Sequence, residues 1–276
     1  MENLAGEKEV TVLIKYPTQT KKGNKVFFEK KDQELTNLDW AKWAGWSDTD
    51  GYFTTFFNSY NMKKPYWERK AGLSLKDRQP VELFSKTFET SLAHQTFKTI
   101  TPKPYRKEYT ATIYIAQLRG KKVRWFTENI YPYLIKQEKK DYAAKLLGYR
   151  PKSKDFITWT VDEVIHYLAT AMEGDGHCRC RGKNTKCIDV EIQSSDVQYL
   201  SDLKYIANNK LGLISTLREC ATYKTQEGIK TKYRLGIFCS RRNPNNLSFF
   251  QSLVKDGVMT LNRKKQKVQE FMDYIL

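Results

Sequence analysis

Two stretches of this chain repeat each other at a fixed spacing, and that repeat limits the folds open to it more than any other feature. Thr36-Asn-Leu-Asp39 followed by WAKWAGWSDTDG answers to Thr160-Val-Asp-Glu163 followed by VIHYLATAMEGDG, which sets Asp50 and Asp175 at an offset of 125 residues. Downstream, EKKDYAAKLL at 138–147 and RKKQKVQEFM at 263–272 repeat with the same offset of 125. One offset shared by two motifs argues for a duplicated unit. Each copy opens with a Thr and, three places on, an acid, the capping-box pattern of a helix start. Each then runs through apolar residues to acid-x-Asp-Gly.

Between these marks the halves read alike. After the Gly come one strand and then a second, GLSLKD at 72–77 in the first half and CIDVEIQ at 187–193 in the second. A helix follows, at 80–93 or 195–210, then two more strands, which include YTATIYIAQ at 109–117 and KTKYRLGIFC at 230–239, and closing helices. The expected fold class is α+β, two pseudo-symmetric αββαββα halves. Residues 1–35 have no counterpart and form an N-terminal extension, in which EVTVLIKY and VFFEK suggest a hairpin. The first half is 36–147, a polar linker broken by Pro151 is 148–159, and the second half is 160–276.

Charge narrows the partner. Lys and Arg number 48 against 31 Asp and Glu, a formal charge of +17, which favours a polyanion. No apolar run approaches the roughly 20 residues of a membrane-spanning helix, and MENLAGEKEV lacks the basic-then-apolar order of a signal peptide. Five cysteines, an odd number, do not form a disulfide framework and point to a reducing, intracellular compartment. His177, Cys178, Cys180 and Cys187 crowd together, but strand neighbours point to opposite faces and no two-residue gap separates the cysteines, so no zinc is expected. His166 is expected to pack at a helix interface.

WAGWSDTDG at 43–51 and LATAMEGDG at 168–176 resemble two copies of the LAGLIDADG motif of homing endonucleases, and the chain from about 36 to 276 resembles that family's single-chain, two-repeat form. The resemblance implies paired motif helices at the domain boundary and a saddle of antiparallel strands in the DNA major groove. It also implies a monomer that cuts both strands of a long asymmetric site. Many members are intron-encoded, and some assist splicing of their own intron RNA as maturases. Two departures stand out. Trp43 and Trp46 replace aliphatic residues, and Thr170 takes the place of a Gly, facing Gly45, whose missing side chain lets helices approach.

The resemblance also implies a site. Asp50 and Asp175 would hold Mg²⁺, with Ca²⁺ or Mn²⁺ as substitutes, aided by the carbonyls of Thr49 and Gly174. Asp48 and Glu173 would hydrogen-bond near the helix ends. A polar residue closing the second strand would position water: Gln193 in the second half, with Asp77 as its counterpart in the first and Lys76 as the alternative. For a lysine near the final helix the repeat pairs Lys139 with Lys264 and Lys140 with Lys265, while Lys136 fits the family spacing as well. Strand alternation places His177, Arg179, Arg181 and Lys183 on a DNA face, opposite Cys178 and Cys180. In the first half Tyr52, Thr54, Phe56 and Asn58 take the DNA face, and Phe53, Thr55 and Phe57 the other. Lys230, Lys232 and Arg234 face DNA on the fourth strand, with Leu235 and Ile237 toward the core. The expected function is site-specific, metal-dependent double-strand DNA cleavage. The rivals are an intron maturase on the same fold, with or without cleavage, and a DNA-binding regulator without catalysis. The compartment is an organelle or a bacterial or phage cytoplasm.

Overall fold

A computed structural model describes residues 35–59, 66–100, 108–180, 187–225, 228–240 and 242–275. The expected N-terminal hairpin, Arg181 and Lys183 lie outside these residues, as does the side chain of Cys180. The first half runs α1 (Asn37–Thr49), β1 (Gly51–Asn58), β2 (Tyr66–Leu75), α2 (Arg78–Thr87), β3 (Leu92–Ile100), β4 (Glu108–Arg119), α3 (Lys121–Ile130) and α4 (Gln137–Leu147). The second runs α5 (Val161–Gly174), β5 (Gly176–Cys180), β6 (Cys187–Ser194), α6 (Val197–Leu211), β7 (Ser215–Thr225), β8 (Gly228–Ser240), α7 (Pro244–Leu253) and α8 (Asn262–Ile275). The described strands form two four-stranded antiparallel sheets of matching order, β1-β2-β4-β3 and β5-β6-β8-β7. Among the described residues no helix is long and apolar enough to cross a membrane.

Both motif helices start as their sequences require. The Thr36 hydroxyl accepts from the Asp39 amide at 3.3 Å and the Asp39 carboxylate accepts from the Thr36 amide at 2.9 Å. Thr160 and Glu163 make the same reciprocal pair at 3.2 and 2.7 Å. Glu163 also accepts from Lys154 Nζ at 2.6 Å and Tyr133 OH at 3.4 Å, which ties the start of α5 to the linker and to the first half.

α1 and α5 pack against each other along the boundary between the halves. The tryptophans of α1 fill the first half's core. Trp43 meets Phe84 edge-on at 5.3 Å, Phe84 and Phe88 lie 4.5 Å apart, and Trp46 is fully buried. Aromatic pairs at such separations add attraction beyond the area they bury. So the bulky departure at Trp43 is matched by Phe84 of α2 and by Phe88 just beyond it.

Two expected spans change. α2 stops at Thr87 rather than reaching 93, because Glu89 turns the chain with φ at 46° and Ser85 and Thr90 close that turn with mutual hydrogen bonds. A left-handed residue that is not Gly leaves no mark in the local sequence. β2 runs from 66 to 75, so Lys76 and Asp77 lie beyond the strand rather than in it.

Candidate functional site

The two motif helices end side by side. Asp50 and Asp175 close them, each bonding its own amide back to the last turn, at Trp46 and Ala171. Two small-residue contacts permit the approach. A Cβ placed on Gly45 would come within 2.5 Å of the Tyr167 carbonyl and closer still to the Thr170 hydroxyl. A Cβ on Gly174 would come within 2.5 Å of Asp50 Oδ2. Gly45 of α1 therefore receives Thr170 of α5, and one turn on Gly174 of α5 receives Thr49 of α1. Thr170 also donates to the Lys42 carbonyl at 2.8 Å, so the Thr that replaces a Gly serves as an interhelical bond.

Burial and the neighbouring charge of Asp175 push the Asp50 carboxyl up to about 6, and burial raises Asp175 as well. A hydrogen bond with the Thr49 side chain, and then the ammonium groups of Lys264 and Lys139, oppose the shift at Asp50; Lys136, Lys139 and Lys264 oppose it at Asp175. Asp50 Oδ2 is buried without a hydrogen-bond partner. A desolvated, unpartnered carboxylate oxygen beside a second carboxylate is a hard donor set that suits a divalent cation such as Mg²⁺. Among the described residues no group of three or more His, Cys, Asp and Glu forms, so two carboxylates would leave positions for carbonyls, water and phosphate.

Two residues earlier, Asp48 and Glu173 are 0% and 2% exposed. They were expected to bond near their own helix ends. They instead reach the chain entering the last helix of each half. Asp48 Oδ2 accepts from the Ile135 amide at 2.7 Å and Tyr167 OH at 2.5 Å. Glu173 Oε1 accepts from the Thr260 amide at 2.6 Å and the Leu261 amide at 2.5 Å. Burial pushes them up to about 6 and about 7. Ile135 and Thr260 share the offset of 125 that relates Asp48 to Glu173, and that was the signal available in the sequence.

One turn into those last helices, Lys139 Nζ donates to the Gly51 carbonyl at 2.5 Å. Its repeat mate Lys264 donates to Gly176 at 2.7 Å, Met172 at 2.9 Å, and Glu173. Lys140 and Lys265 make no such contact, and Lys136 lies over the Tyr199 ring, 5.5 Å from its centroid. His166 is half-buried on α5, its ring nitrogen against the Asp162 carbonyl of its own helix.

Gln193 lies at the end of β6 next to Asp175, whose carbonyl accepts from its backbone N–H at 3.4 Å. Its assigned counterpart needs correction. Gly51 pairs with Leu73 and Gly176 with Ile192, so the register matches Gln193 to Ser74. Asp77 instead forms a two-pronged ion pair with Arg263 of α8, at 2.7 and 3.0 Å, which links the halves. That bond holds the Asp77 carboxyl below its usual range.

Period-two alternation is visible on β5: His177 and Arg179 are exposed and Cys178 is 5% exposed. On β8, Leu235 and Ile237 are buried while Arg234 is half-exposed; Lys230 is exposed and Lys232 half-exposed, past a bulge between Glu219 and Ala221. On β1, Phe53 is buried and Thr54 exposed, with Tyr52, Phe56 and Asn58 between. Phe57 departs from its expected core role. It is 51% exposed, and its ring lies tilted against that of Trp67, 5.4 Å away, which is exposed as well.

Residues 162–244 match the LAGLIDADG-like domain. No curated protein matches the sequence. Solved structures that align include meganuclease I-SmaMI bound to uncleaveable DNA, at 13% identity and TM-score 0.48, covering 86% of this chain and 90% of that one. LAGLIDADG meganuclease I-AabMI bound to uncleaved DNA aligns at 10% and 0.46, covering 85% and 89%. The I-LtrWI LAGLIDADG homing endonuclease bound to target DNA aligns at 12% and 0.43, covering 86% and 90%.

Proposed function

We propose, from the premise that residues 162–244 are a LAGLIDADG-like domain and that the first half repeats its plan, that this chain is a site-specific double-strand DNA endonuclease. It would use divalent metal and bind one long asymmetric site as a monomer. The observation that carries the reading is the meeting of Asp50 and Asp175 at the ends of α1 and α5, with Asp50 Oδ2 buried and unpartnered.

Each half would then do the same work on one strand. Asp50 and Asp175 would hold the cation, with the carbonyls of Thr49 and Gly174 as further oxygen donors. A bound Mg²⁺ supplies an activated water and neutralises charge that builds on the phosphate. Lys139 and Lys264 place ammonium groups beside the first residue after each aspartate, where they offset anionic charge. Gln193 orients water in the second half; in the first, the register puts Ser74 at that place, and Asp77 is engaged with Arg263. Asp48 and Glu173 fix the approach of α4 and α8, and with it the two lysines. Tyr52, Thr54, Phe56 and Asn58 of the first sheet and His177, Arg179, Lys230, Lys232 and Arg234 of the second would face the duplex. The net charge of +17 supports a polyanionic partner.

Supercoiled plasmids carrying candidate sites, incubated with and without Mg²⁺, test the reading. Linear product is expected with metal, and Asp50→Asn and Asp175→Asn should each abolish it while DNA binding survives. Double-strand cutting at the normal rate by either variant would overturn the metal assignment.

A further inference from the structure

The open face of the second sheet carries two carboxylates where phosphates would lie. Asp189 and Glu191 are 4% and 2% exposed and belong to β6, paired in register with Arg179 and His177 of β5. Carboxylates on a phosphate-facing surface oppose binding, so their presence needs an account. With Thr216, Arg218 and Arg234 they line a recess of about 250 Å³. Arg218 and Arg234 stand opposite each other on β7 and β8. Two guanidiniums against two carboxylates leave the recess locally neutral. It therefore contributes little to a non-directional grip on phosphate. What remains is a set of fixed, directional donors, which is what reading a base edge requires.

Arg234 is the donor so arranged. Its Nη1 donates to Glu191 Oε1 at 2.7 Å. The Glu191 side chain is 2% exposed and that of Arg234 24%, so the carboxylate lies beneath and the guanidinium above it, at the surface. One bond to a buried acid holds Nη1, and Nε is buried without a partner, so it is the terminal nitrogens of the fork that can meet a base. We infer that Arg234 reads a guanine under the second half of the protein, and that Glu191 is the positioning residue that holds it for that contact. This rests on the DNA-binding role proposed above. Guanine shows two acceptors, O6 and N7, to the major groove, and an arginine fork meets both. The first half lacks it at the matching register positions, although elsewhere on that sheet the buried Glu68 pairs with Arg119 and Lys70 at 3.6 and 3.8 Å. By register, Glu191, Arg234, Arg218 and Asp189 correspond to Gly72, Ile115, Ala93 and Lys70. The contact at this register position therefore belongs to one half of the target.

Selection of bound sites from a randomised duplex library, with melting curves and affinity for unrelated DNA measured on each variant, tests this. The wild type should prefer guanine at one position under the second half by roughly 5- to 150-fold, the range of a bidentate contact. Arg234→Lys should lose most of that preference and leave the other positions unchanged. Glu191→Ala should relax the same position while affinity for unrelated DNA holds or rises, because an anion has left the face. Glu191→Gln, whose amide oxygen still accepts from Nη1, should recover part of the preference. A purely structural Glu191 would instead lower the melting temperature and weaken all sequences alike, which overturns the inference, as does an unchanged preference in Arg234→Lys. A wild type that selects no sequence at all would sink the DNA-recognition reading itself, and this inference with it.

Discussion

Replacing Gly45 by Ala puts the packing of the two motif helices to a direct test. An added Cβ would lie 2.5 Å from the Tyr167 carbonyl, whereas ordinary contact begins near 3.4 Å. The obstacle is backbone, so the helices must part by about 1 Å. Overpacking of this kind costs about 1–3 kcal/mol, and losing the Thr170–Lys42 bond about 1 more. Ala is better than Gly in a helix by about 1 kcal/mol, which offsets part of it. The net loss is about 1–3 kcal/mol, or roughly 2–10 °C in melting temperature for a chain of this size. The parting also separates Thr49 and Asp50 from Gly174, one turn along. A misplacement of about 1 Å in a catalytic group can cost about 10²-fold in rate. Adding Thr170→Gly removes the hydroxyl but not the Tyr167 carbonyl, so the double variant should recover only part of the stability. Calorimetry and single-turnover cleavage read both effects. Gly45→Ala that melts at or above the wild type and cleaves normally would refute the packing argument.

Three further outcomes follow from the same geometry. The Asp50 carboxyl is raised from 3.8 to about 6, so its ionised form destabilises the metal-free fold as pH rises through 6, by at most about 3 kcal/mol, and that strain is absent below about 4. Asp50→Asn should therefore raise the metal-free melting temperature at pH 8 and leave it unchanged near pH 4; an equal difference at both would remove the electrostatic account. If the sheets make roughly 6–10 phosphate contacts, affinity for DNA should fall by about 10³–10⁵ between 50 and 200 mM salt, and a flat response would exclude an extended basic face. Arg179→Ala should weaken or respecify DNA binding without changing the melting temperature, whereas Cys178→Asp, which buries an unpaired charge, should unfold the protein before any DNA is added. The reverse pattern would show β5 facing the other way.

What the sequence made legible was local or repeated. Thr36 and Thr160 announce their helices because a capping box closes within three residues. The pairing of Lys139 with Lys264 follows from a repeat offset, and both reach the residue after an aspartate. The alternation of His177, Cys178 and Arg179 needs only strand periodicity. The rest depends on distant contacts. Asp48 and Glu173 find their partners 87 to 88 residues away, so nothing beside them points to the segments they hold. Asp77 was matched to Gln193 by order along the chain, but equivalence in a sheet is set by register, and Arg263 is 186 residues distant. Arg234 was legible as a surface cation; its anchor Glu191 was not, because an acid on a strand expected to face DNA reads as an exception until the sheet is assembled.

The central claim is that two halves of one chain each bring an aspartate to a shared, metal-dependent centre that cuts both strands of DNA. The most direct measurement is sequencing of the ends cleaved from a randomised duplex library in Mg²⁺, run beside the Asp50→Asn/Asp175→Asn double variant and a metal-free control. The account predicts one long, asymmetric site cut on both strands by the wild type with metal, and intact DNA in both other reactions. Cleavage that persists in the double variant, or a folded wild type that binds DNA and cuts nothing with any divalent cation, would contradict it.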